Sequence, residues 1–414
     1  MKYSRLSWQG LFVVLLASAW LSGCSGPREA DYRFEVTFPA GTGGILVPVT
    51  VELPPGFADT AGAWEVLPRQ GKTEESVYAQ IIPVTPENPV LRAIFLWDPQ
   101  TTGEPSVRQF ILHRSPKPVM PAFSFEDTDS THLAVLQEGK PVLAYTYGMY
   151  LKEGVPEDRR RSCYLSPVYG LDGELLSDDF PVDHFHHRGI FWAWPQVFIG
   201  GDSLSLWDIY RINQRFERWT VRQTGPVFAR LEVENGWYAG EKKVAAETLK
   251  LTVYKAGKSG RALDVSLSWQ ALEEPIRIIG SSAEQKGYGG FSFRFAPFEG
   301  PVITTSSGTQ AEDTNLLPFP WADLSARFNG TNDVSGAAIF ENESNSGFPN
   351  GWTLRHYGFL GVAWPGLEPF TFQPGEPVET VYRVWLHRGN VADGKVKEAY
   401  EAFSEPAQGR LLNF

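Results

Sequence analysis

Three of the chain's seven histidines lie in the short segment Asp183–Gly189, which reads Asp-His-Phe-His-His-Arg-Gly. An acid and an arginine therefore flank the imidazoles. A histidine beside a carboxylate can take up or release a proton near neutral pH, because its ordinary pKa is about 6.5. We therefore expect His184, His186 and His187 to act in acid–base catalysis, with Asp183 contacting the substrate.

The same segment also allows a metal site. If it is extended, His184, His186 and Arg188 project from one face and His187 from the other. Two imidazoles two positions apart can bind one divalent metal ion when a third ligand comes from elsewhere. The cupin metal pattern requires a glutamate five residues beyond the second histidine, where this chain has Phe191. We favour acid–base chemistry with no required cofactor, and keep a divalent metal on His184 and His186 as the alternative.

Polar residues elsewhere are further candidates. Glu247 falls at an even spacing from Leu249, Leu251 and Val253, so in a strand it would lie on the same apolar face as they do. An unpaired buried charge is energetically costly, so a carboxylate on that face must be paired or functional. Arg294 leaves a phenylalanine-rich strand on its polar side. Arg355 and His356 are adjacent, and we expect Arg355 to bind substrate and His356 to join the catalytic residues.

Tryptophan is abundant, with 14 residues in the chain. Trp192, Trp194 and Trp207 closely follow the histidines. Indole rings stack on the apolar faces of sugars, so a cleft lined with them suits carbohydrate. Most of these tryptophans must belong to the core, and we predict Trp194 alone as a substrate-binding residue.

Short strands must position these residues. The chain has 40 glycines, 31 prolines and 14% aromatic residues, a composition typical of strands and turns. Apolar and polar residues alternate with period two through most of it, and only residues 393–403 carry a helical pattern. We predict an all-β protein: a small N-terminal β-sandwich over 31–115, a proline-rich linker over 116–121, and a large antiparallel β-supersandwich over 122–414 with a short C-terminal helix.

The N-terminus is typical of an exported lipoprotein. Lys2 and Arg5 precede an apolar run that is shorter than the ~20 residues needed to span a bilayer. Leu-Ser-Gly-Cys then resembles a bacterial lipobox, which predicts a signal peptide over 1–23, lipidation of Cys24 and a tether over 24–30. We expect the protein to be anchored to the bacterial cell envelope, in the outer membrane, facing the periplasm or the surface.

Charge and cysteine content argue against a nucleic-acid partner and against a disulfide in the mature domains. The chain has a formal net charge of −11 and no basic run, so a nucleic-acid partner is not expected. Cys163 is the only cysteine besides the predicted lipidation site, so no disulfide can form within the mature domains.

Several segments together resemble a family of bacterial proteins, the PmoA-like family, labelled "methane oxygenase PmoA". They are Arg161–Gly170, Asp183–Trp194, Gly290–Arg294, Trp352–Phe359 and Pro374–Glu376. The resemblance implies a galactose-mutarotase-like supersandwich, in which histidines and a carboxylate move protons on a pyranose. The matching positions are His184, His186, His187, Arg188, Glu247, Arg294 and His356. The label is not taken literally, because the methane monooxygenase subunit is an integral membrane protein.

We therefore predict an exported lipoprotein that acts on carbohydrate by hydrolysis, β-elimination or epimerisation. His184 or His186 would be the general acid or base, Glu247 its partner, and Arg188 or Arg294 the clamp on a substrate carboxylate or oxyanion. One alternative is a noncatalytic glycan-binding lipoprotein of a polysaccharide-utilisation system. Another is a metal-dependent oxidase or oxygenase.

Overall fold

Strands dominate the part of the chain that the structure describes. The computed structural model describes residues 31–412, except 58, 61, 70–75, 86–87 and 101–102. The predictions of a signal peptide, of lipidation at Cys24 and of a tether fall outside these residues. No helix within the described part is long and apolar enough to cross a membrane.

The strands follow one another with short connections. The first group is β1 (Tyr32–Phe38), β2 (Val47–Glu52), β3 (Trp64–Pro68), β4 (Val77–Thr85), β5 (Asn88–Trp97) and β6 (Ser106–Arg114). The second is β7 (Phe123–Asp127), β8 (His132–Gln137), β9 (Lys140–Thr146), β10 (Tyr164–Val168), β11 (Ile190–Ala193), β12 (Gln196–Ile199), β13 (Asp202–Leu204), β14 (Asn213–Gln223), β15 (Phe228–Ala239), β16 (Lys242–Tyr254), β17 (Gly260–Ala271) and β18 (Ile276–Ile279). The third is β19 (Gly290–Arg294), β20 (Phe298–Thr305), β21 (Gly308–Gln310), β22 (Thr314–Pro318), β23 (Trp321–Phe328), β24 (Ser335–Glu341), β25 (Gly351–Arg355), β26 (Phe359–Ala363), β27 (Phe370–Phe372) and β28 (Val378–Arg388), then helix α1 (Val396–Ser404) and β29 (Gln408–Leu411).

The N-terminal strands form a closed barrel in the order β1-β29-β2-β5-β4-β3-β6. Alternate side chains of β1, those of Phe34, Val36 and Phe38, point into its core. The C-terminal strand β29 pairs antiparallel with β1 and parallel with β2. It fills the gap between them. The N-terminal module, which we predicted as a small β-sandwich, is therefore closed into a barrel and has no free sheet edge at this point.

Two nine-stranded sheets form the larger part of the fold. The first sheet has the order β22-β25-β26-β19-β11-β10-β9-β8-β7, and the second sheet the order β14-β15-β16-β17-β28-β24-β23-β20-β21. Neighbouring strands are antiparallel, and one continuous cluster of buried side chains joins the inner faces of both sheets. A four-stranded sheet, β13-β12-β18-β27, adds to the same core. The predicted all-β architecture with large antiparallel sheets is confirmed.

The predicted C-terminal helix is also present, as α1. Val396, Ala399 and Phe403 are buried on one side of it, as the helical spacing predicts. The helix packs against β24 and β28 of the second sheet. It therefore carries the chain from the large sandwich to β29 in the barrel.

Candidate active site

The histidine segment folds as two successive turns between Pro181 and Arg188, and not as the strand assumed above. The amide of His184 donates to the carbonyl of Pro181 over 3.0 Å, and the amide of His187 donates to the carbonyl of His184 over 2.9 Å. Alternation therefore does not apply, and all three imidazoles meet. The ring of His187 lies 4.7 Å from that of His184 and 4.6 Å from that of His186, between ring centroids.

A buried arginine, Arg161, holds these turns in place. It donates from Nη1 to the carbonyl of Phe185 and from Nη2 to that of His187, each over 2.6 Å. Nη2 also binds the carboxylate of Asp179, and the guanidinium carbon lies 3.5 Å from the centroid of the Phe180 ring. No pattern in the sequence marks Arg161 as a site residue, although Arg161 opens one of the segments that carry the family resemblance.

The carboxylate of Asp183 contacts both the imidazole of His184 and the guanidinium of Arg294. Nδ1 of His184 lies 2.9 Å from Oδ2 of Asp183, and Nη2 of Arg294 donates to both carboxylate oxygens over 3.0 and 3.1 Å. Burial alone would raise the pKa of Asp183, but His184 and Arg294 outweigh it and leave that pKa below its usual range. The carboxylate is thus ionised, and the His184 side chain keeps 34% of its surface exposed.

His186 lies beside this pair in a different environment. Burial, the neighbouring His184 and the guanidinium of Arg188 lower the pKa of His186 to about 3. Its Nδ1 is 3.8 Å from a carboxylate oxygen of Asp208, and its ring packs near Trp207. His186 is therefore neutral near pH 7 and suits hydrogen bonding better than proton uptake.

His187 and Arg188 belong to the wall behind the site. His187 is only 3% exposed, stacks on Phe359 and has a pKa well below the ordinary value because burial and the other imidazoles disfavour its charged form. Arg188 is 2% exposed and donates to the carbonyl of Leu206 over 2.8 Å. Burial lowers its pKa to about 9. Arg188 therefore cannot clamp a substrate directly, whereas Arg294 contacts the exposed pair.

An exposed tyrosine, Tyr357, covers one side of the site. Its ring stacks on His184 with centroids 5.1 Å apart, and the guanidinium of Arg294 lies 4.9 Å from its centroid. Although Tyr357 is 42% exposed, partial burial of its phenol raises the pKa above the ordinary value, so its hydroxyl stays protonated near neutral pH. Tyr357 follows Arg355 and His356 in the connection between β25 and β26. The sequence pattern marks Arg355 and His356 but not Tyr357.

Arg355 and His356 form a separate network next to Tyr357. Arg355 donates from Nη1 to the carbonyl of Thr314 over 2.7 Å. His356 has Nδ1 2.9 Å from Asp313 and Nε2 3.1 Å from the carbonyl of Gln310. Both ring nitrogens of His356 are engaged, which leaves none to exchange a proton with a substrate. The two residues position the loop and do not reach the histidine cluster through any described contact.

Glu247 and Trp194 lie in the core, apart from the cluster. Glu247 is 1% exposed, and its carboxylate accepts hydrogen bonds from four neutral donors, on Gln214, Asn235, Trp237 and Trp269. Its position on the apolar face is as predicted, but no described contact makes it the partner of a histidine. Trp194 has no exposed surface and donates to a backbone carbonyl, so it cannot stack on a sugar.

One family profile covers all the segments that contribute to the histidine cluster. The profile described as a family of unknown function, DUF6807, matches residues 132–401. The chain belongs to the DUF6807 family. A comparison with curated proteins finds no match.

The DUF6807 segment includes the histidine cluster and two nearby cavities, neither of which is lined by His184, His186 or His187. Each cavity has a volume of about 220 Å³, and Asp178 lines both. One of them also contacts Arg294 and Tyr357. Burial raises the pKa of Asp178, despite the opposing charges of Lys152 and Arg294. Asp178 is thus a second carboxyl near the site that the sequence pattern did not single out.

The geometry of the cluster also bears on the alternative of a metal ion bound by His184 and His186. Among residues 31–412, outside the gaps given above, no group of three or more histidine, cysteine or acidic side chains is arranged to hold a metal ion. The rings of His184 and His186 meet edge to face with centroids 5.5 Å apart, and Nδ1 of His184 turns toward Asp183. A third protein ligand for this pair is not supplied by the described residues.

Proposed function

We propose that this DUF6807 protein is a carbohydrate-active enzyme that moves a proton on its sugar substrate, with His184 as the transferring residue. The observation that carries the proposal is the Asp183–His184 contact of 2.9 Å on an accessible imidazole, with Arg294 bound to the same carboxylate. An ionised carboxylate 2.9 Å from Nδ1 favours a proton on that nitrogen, although the contact lacks hydrogen-bond geometry, and this tautomer leaves Nε2 to accept a proton.

The charges around the cluster favour a reaction in which negative charge develops. Arg161 is matched by Asp179 and Arg294 by Asp183, whereas buried Arg188 donates to backbone carbonyls. Arg188 thus places in the wall behind the histidines one guanidinium that has no carboxylate partner among the described residues, although Asp178 and Asp208 also lie near the cluster. Such a preorganised field stabilises an enolate or alkoxide. Proton abstraction next to a carbonyl or carboxylate, as in β-elimination or epimerisation, fits this field.

The remaining residues have consistent roles in such a step. His184 takes the proton from the sugar carbon, and neutral His186 binds a hydroxyl. Tyr357, whose phenol stays protonated, donates a hydrogen bond or a proton to the departing or developing oxygen. Proton transfer of this kind needs no metal or organic cofactor.

The proposal includes a place in the cell envelope. The lipobox-like Leu-Ser-Gly-Cys sequence supports an anchor at Cys24 and attachment to the outer membrane. The net charge of −11 supports a carbohydrate rather than a nucleic-acid partner. The family resemblance supports a galactose-mutarotase-like supersandwich, which is compatible with the two large sheets.

A turnover assay tests the activity. Purified protein is incubated with neutral glycans, uronate-containing glycans and 3-keto-glycosides, and products are followed by mass spectrometry. We expect His184→Asn to lower kcat by about 10²-fold or more, the usual contribution of a general acid or base. His113→Asn, on the barrel strand β6, is the matched control and should keep full activity. Equal turnover in His184→Asn and the wild type, or no product from any substrate, contradicts the proposal.

A noncatalytic glycan-binding lipoprotein is the second candidate. It is favoured by the cavity beside Arg294 and Tyr357, which measures about 220 Å³ and is lined by none of the three histidines. It predicts measurable affinity for a glycan without product. The metal-dependent oxidase is the third, and it requires stoichiometric copper or iron in the purified protein, which elemental analysis measures.

A further inference from the structure

A large cleft lies where the barrel meets the second sheet, and it shares no lining residue with the histidine cluster. Its volume is about 970 Å³, at the upper end of the range for sites that bind small molecules. Strands β2 and β29 form one wall, strands β16, β17 and β28 the floor, and the end of α1 a second wall. Neither the acid–base site nor the family match explains this cleft.

The floor of the cleft carries a charged pair. Asp264 and Arg383 are directly opposite each other on β17 and β28, on the face that points away from the sandwich core. Arg383 donates from Nε over 2.5 Å and from Nη2 over 2.9 Å to the two carboxylate oxygens, and its guanidinium lies 5.0 Å from the Phe403 ring centroid. Its Nη1 has no hydrogen-bond partner among the described residues, while Tyr254 lines the floor beside it.

The rim repeats this chemistry. Arg92 lies 3.4 Å from Glu52 across β5 and β2, and Arg410 pairs with Glu35 across β29 and β1. Between the charged pairs the lining combines the polar side chains of Thr50, Asn342 and Gln408 with apolar surfaces, which belong to Pro48, Pro54, Pro55, Pro406 and Phe403. The cleft therefore alternates hydrogen-bonding groups with flat hydrocarbon surfaces, and its arginine charges are matched pair by pair.

We infer that this cleft is a binding site for a neutral oligosaccharide. Sugar hydroxyls both donate and accept, so an arginine–carboxylate pair can bind two neighbouring hydroxyls at once. The C–H faces of pyranose rings pack on proline and phenylalanine surfaces. Because the charges are matched, a nucleotide or polyuronate gains no net attraction here. The site is separate from the proton-transfer site and does not rest on that proposal.

Calorimetric titration of the full mature protein tests the inference. The probes are hexasaccharides of the cello, xylo, manno, malto and laminari series, with hexagalacturonate as the anionic comparison. We expect at least one neutral hexasaccharide to bind. Thr50→Trp, which fills the cleft from β2, should weaken that binding at least tenfold. Val107→Trp, on an exposed position of the same barrel, is the matched control and should bind as the wild type does.

Two further variants complete the test. Gln408→Ala is a second probe of the cleft, and His184→Asn shows whether the cleft acts separately from the histidine cluster. Gln408→Ala, a smaller change in the same wall, should weaken binding several-fold if Thr50→Trp fails to fold. His184→Asn should bind the hexasaccharide normally, and Thr50→Trp should keep the turnover of the histidine site. The inference is overturned if no neutral hexasaccharide binds to the wild type, or if only hexagalacturonate binds. It is also overturned if Thr50→Trp and Gln408→Ala both bind as the wild type does. Loss of binding in His184→Asn would likewise overturn it.

Discussion

At the residue scale, three neighbouring histidines have three different environments. His184 is accessible and contacts a carboxylate, His186 is mostly buried among positive charges, and His187 forms part of the core wall. Burial and the nearest charges decide these differences, because both act on the free energy of the protonated imidazole. Identical side chains a few positions apart therefore suit different roles.

The low pKa of His186 makes stability depend on pH. The folded state keeps His186 neutral down to about pH 3, whereas the unfolded chain takes up a proton near pH 6.5. Its contribution to stability is therefore complete above pH 6.5 and is lost as pH falls toward 3. Between pH 7 and pH 5 this loss is about 2 kcal/mol, from about 1.4 kcal/mol for each pH unit below 6.5.

We predict that His186→Gln removes this part of the pH dependence. Urea unfolding of both proteins at pH 7 and pH 5 measures it, and the wild type should lose about 2 kcal/mol more than the variant. His113→Gln serves as the control for a general effect of removing a histidine. An equal loss in the wild type and His186→Gln contradicts the assigned environment.

At the element scale, two turns and one arginine replace the strand that the sequence suggested. The turns expose their carbonyls inward, and Arg161 satisfies two of them while pairing with Asp179. Buried polar groups need such partners, so the geometry of the cluster depends on a buried residue behind it. Gly189 ends the segment at a φ of +39°, where a Cβ would come within 2.1 Å of the Leu165 carbonyl oxygen.

We predict that Arg161→Gln disturbs the site through its backbone. Loss of the buried partner should lower stability by about 3 kcal/mol and reduce kcat/KM at least tenfold, because the histidine turns lose their support. Faster hydrogen exchange at the amide of His187 would show that loosening directly. Arg161→Lys should restore part of the activity, and Arg160→Gln, at the exposed neighbour, should change neither quantity.

The barrel shows the same dependence on a distant element. Strand β29 closes it, although 369 residues lie between the end of β1 and the start of β29. We predict that truncation after Ser404 lowers the Tm by about 5 °C or more, because it exposes the edges of β1 and β2. Thermal unfolding followed by circular dichroism measures this. An unchanged Tm would mean that the six N-terminal strands are stable without β29.

At the scale of the whole molecule, the two sheets and the barrel give this protein two separate surfaces that we propose as ligand sites. The histidine cluster lies beside the first sheet, and the cleft lies between the second sheet and the barrel. A glycan-binding surface separate from an acid–base site would hold a polymer while one of its sugars reacts. An anchor at Cys24 would keep both surfaces at the membrane.

We predict that Cys24→Ala abolishes membrane attachment while the body of the protein still folds. Fractionation of cells should move the protein from the membrane to the soluble periplasmic fraction, and mass spectrometry should show loss of the lipid on the mature N-terminus. Ser25→Ala, at the next position, is the control and should leave the protein in the membrane fraction. A membrane-bound Cys24→Ala protein contradicts a lipid anchor at this residue.

Local patterns determined much of this protein from the sequence alone. Alternation of apolar and polar residues predicts strands, because side chains of a strand point to opposite faces, and it placed Glu247 correctly on an inner face. The helical spacing near the C-terminus likewise predicts α1. A clustered set of histidines marked the candidate site, since rare titratable residues at close spacing stand out without any structure.

Only the tertiary structure decided what each of these residues contacts. Arg294 meets Asp183 across 111 positions of sequence, and Trp194 is buried because the sandwich closes over it. Arg161, Tyr357 and Asp178 acquire their importance from such long-range packing, which leaves no periodic signal. Burial and charge act through space rather than along the chain, so the roles of the histidines and the existence of the cleft follow from the fold.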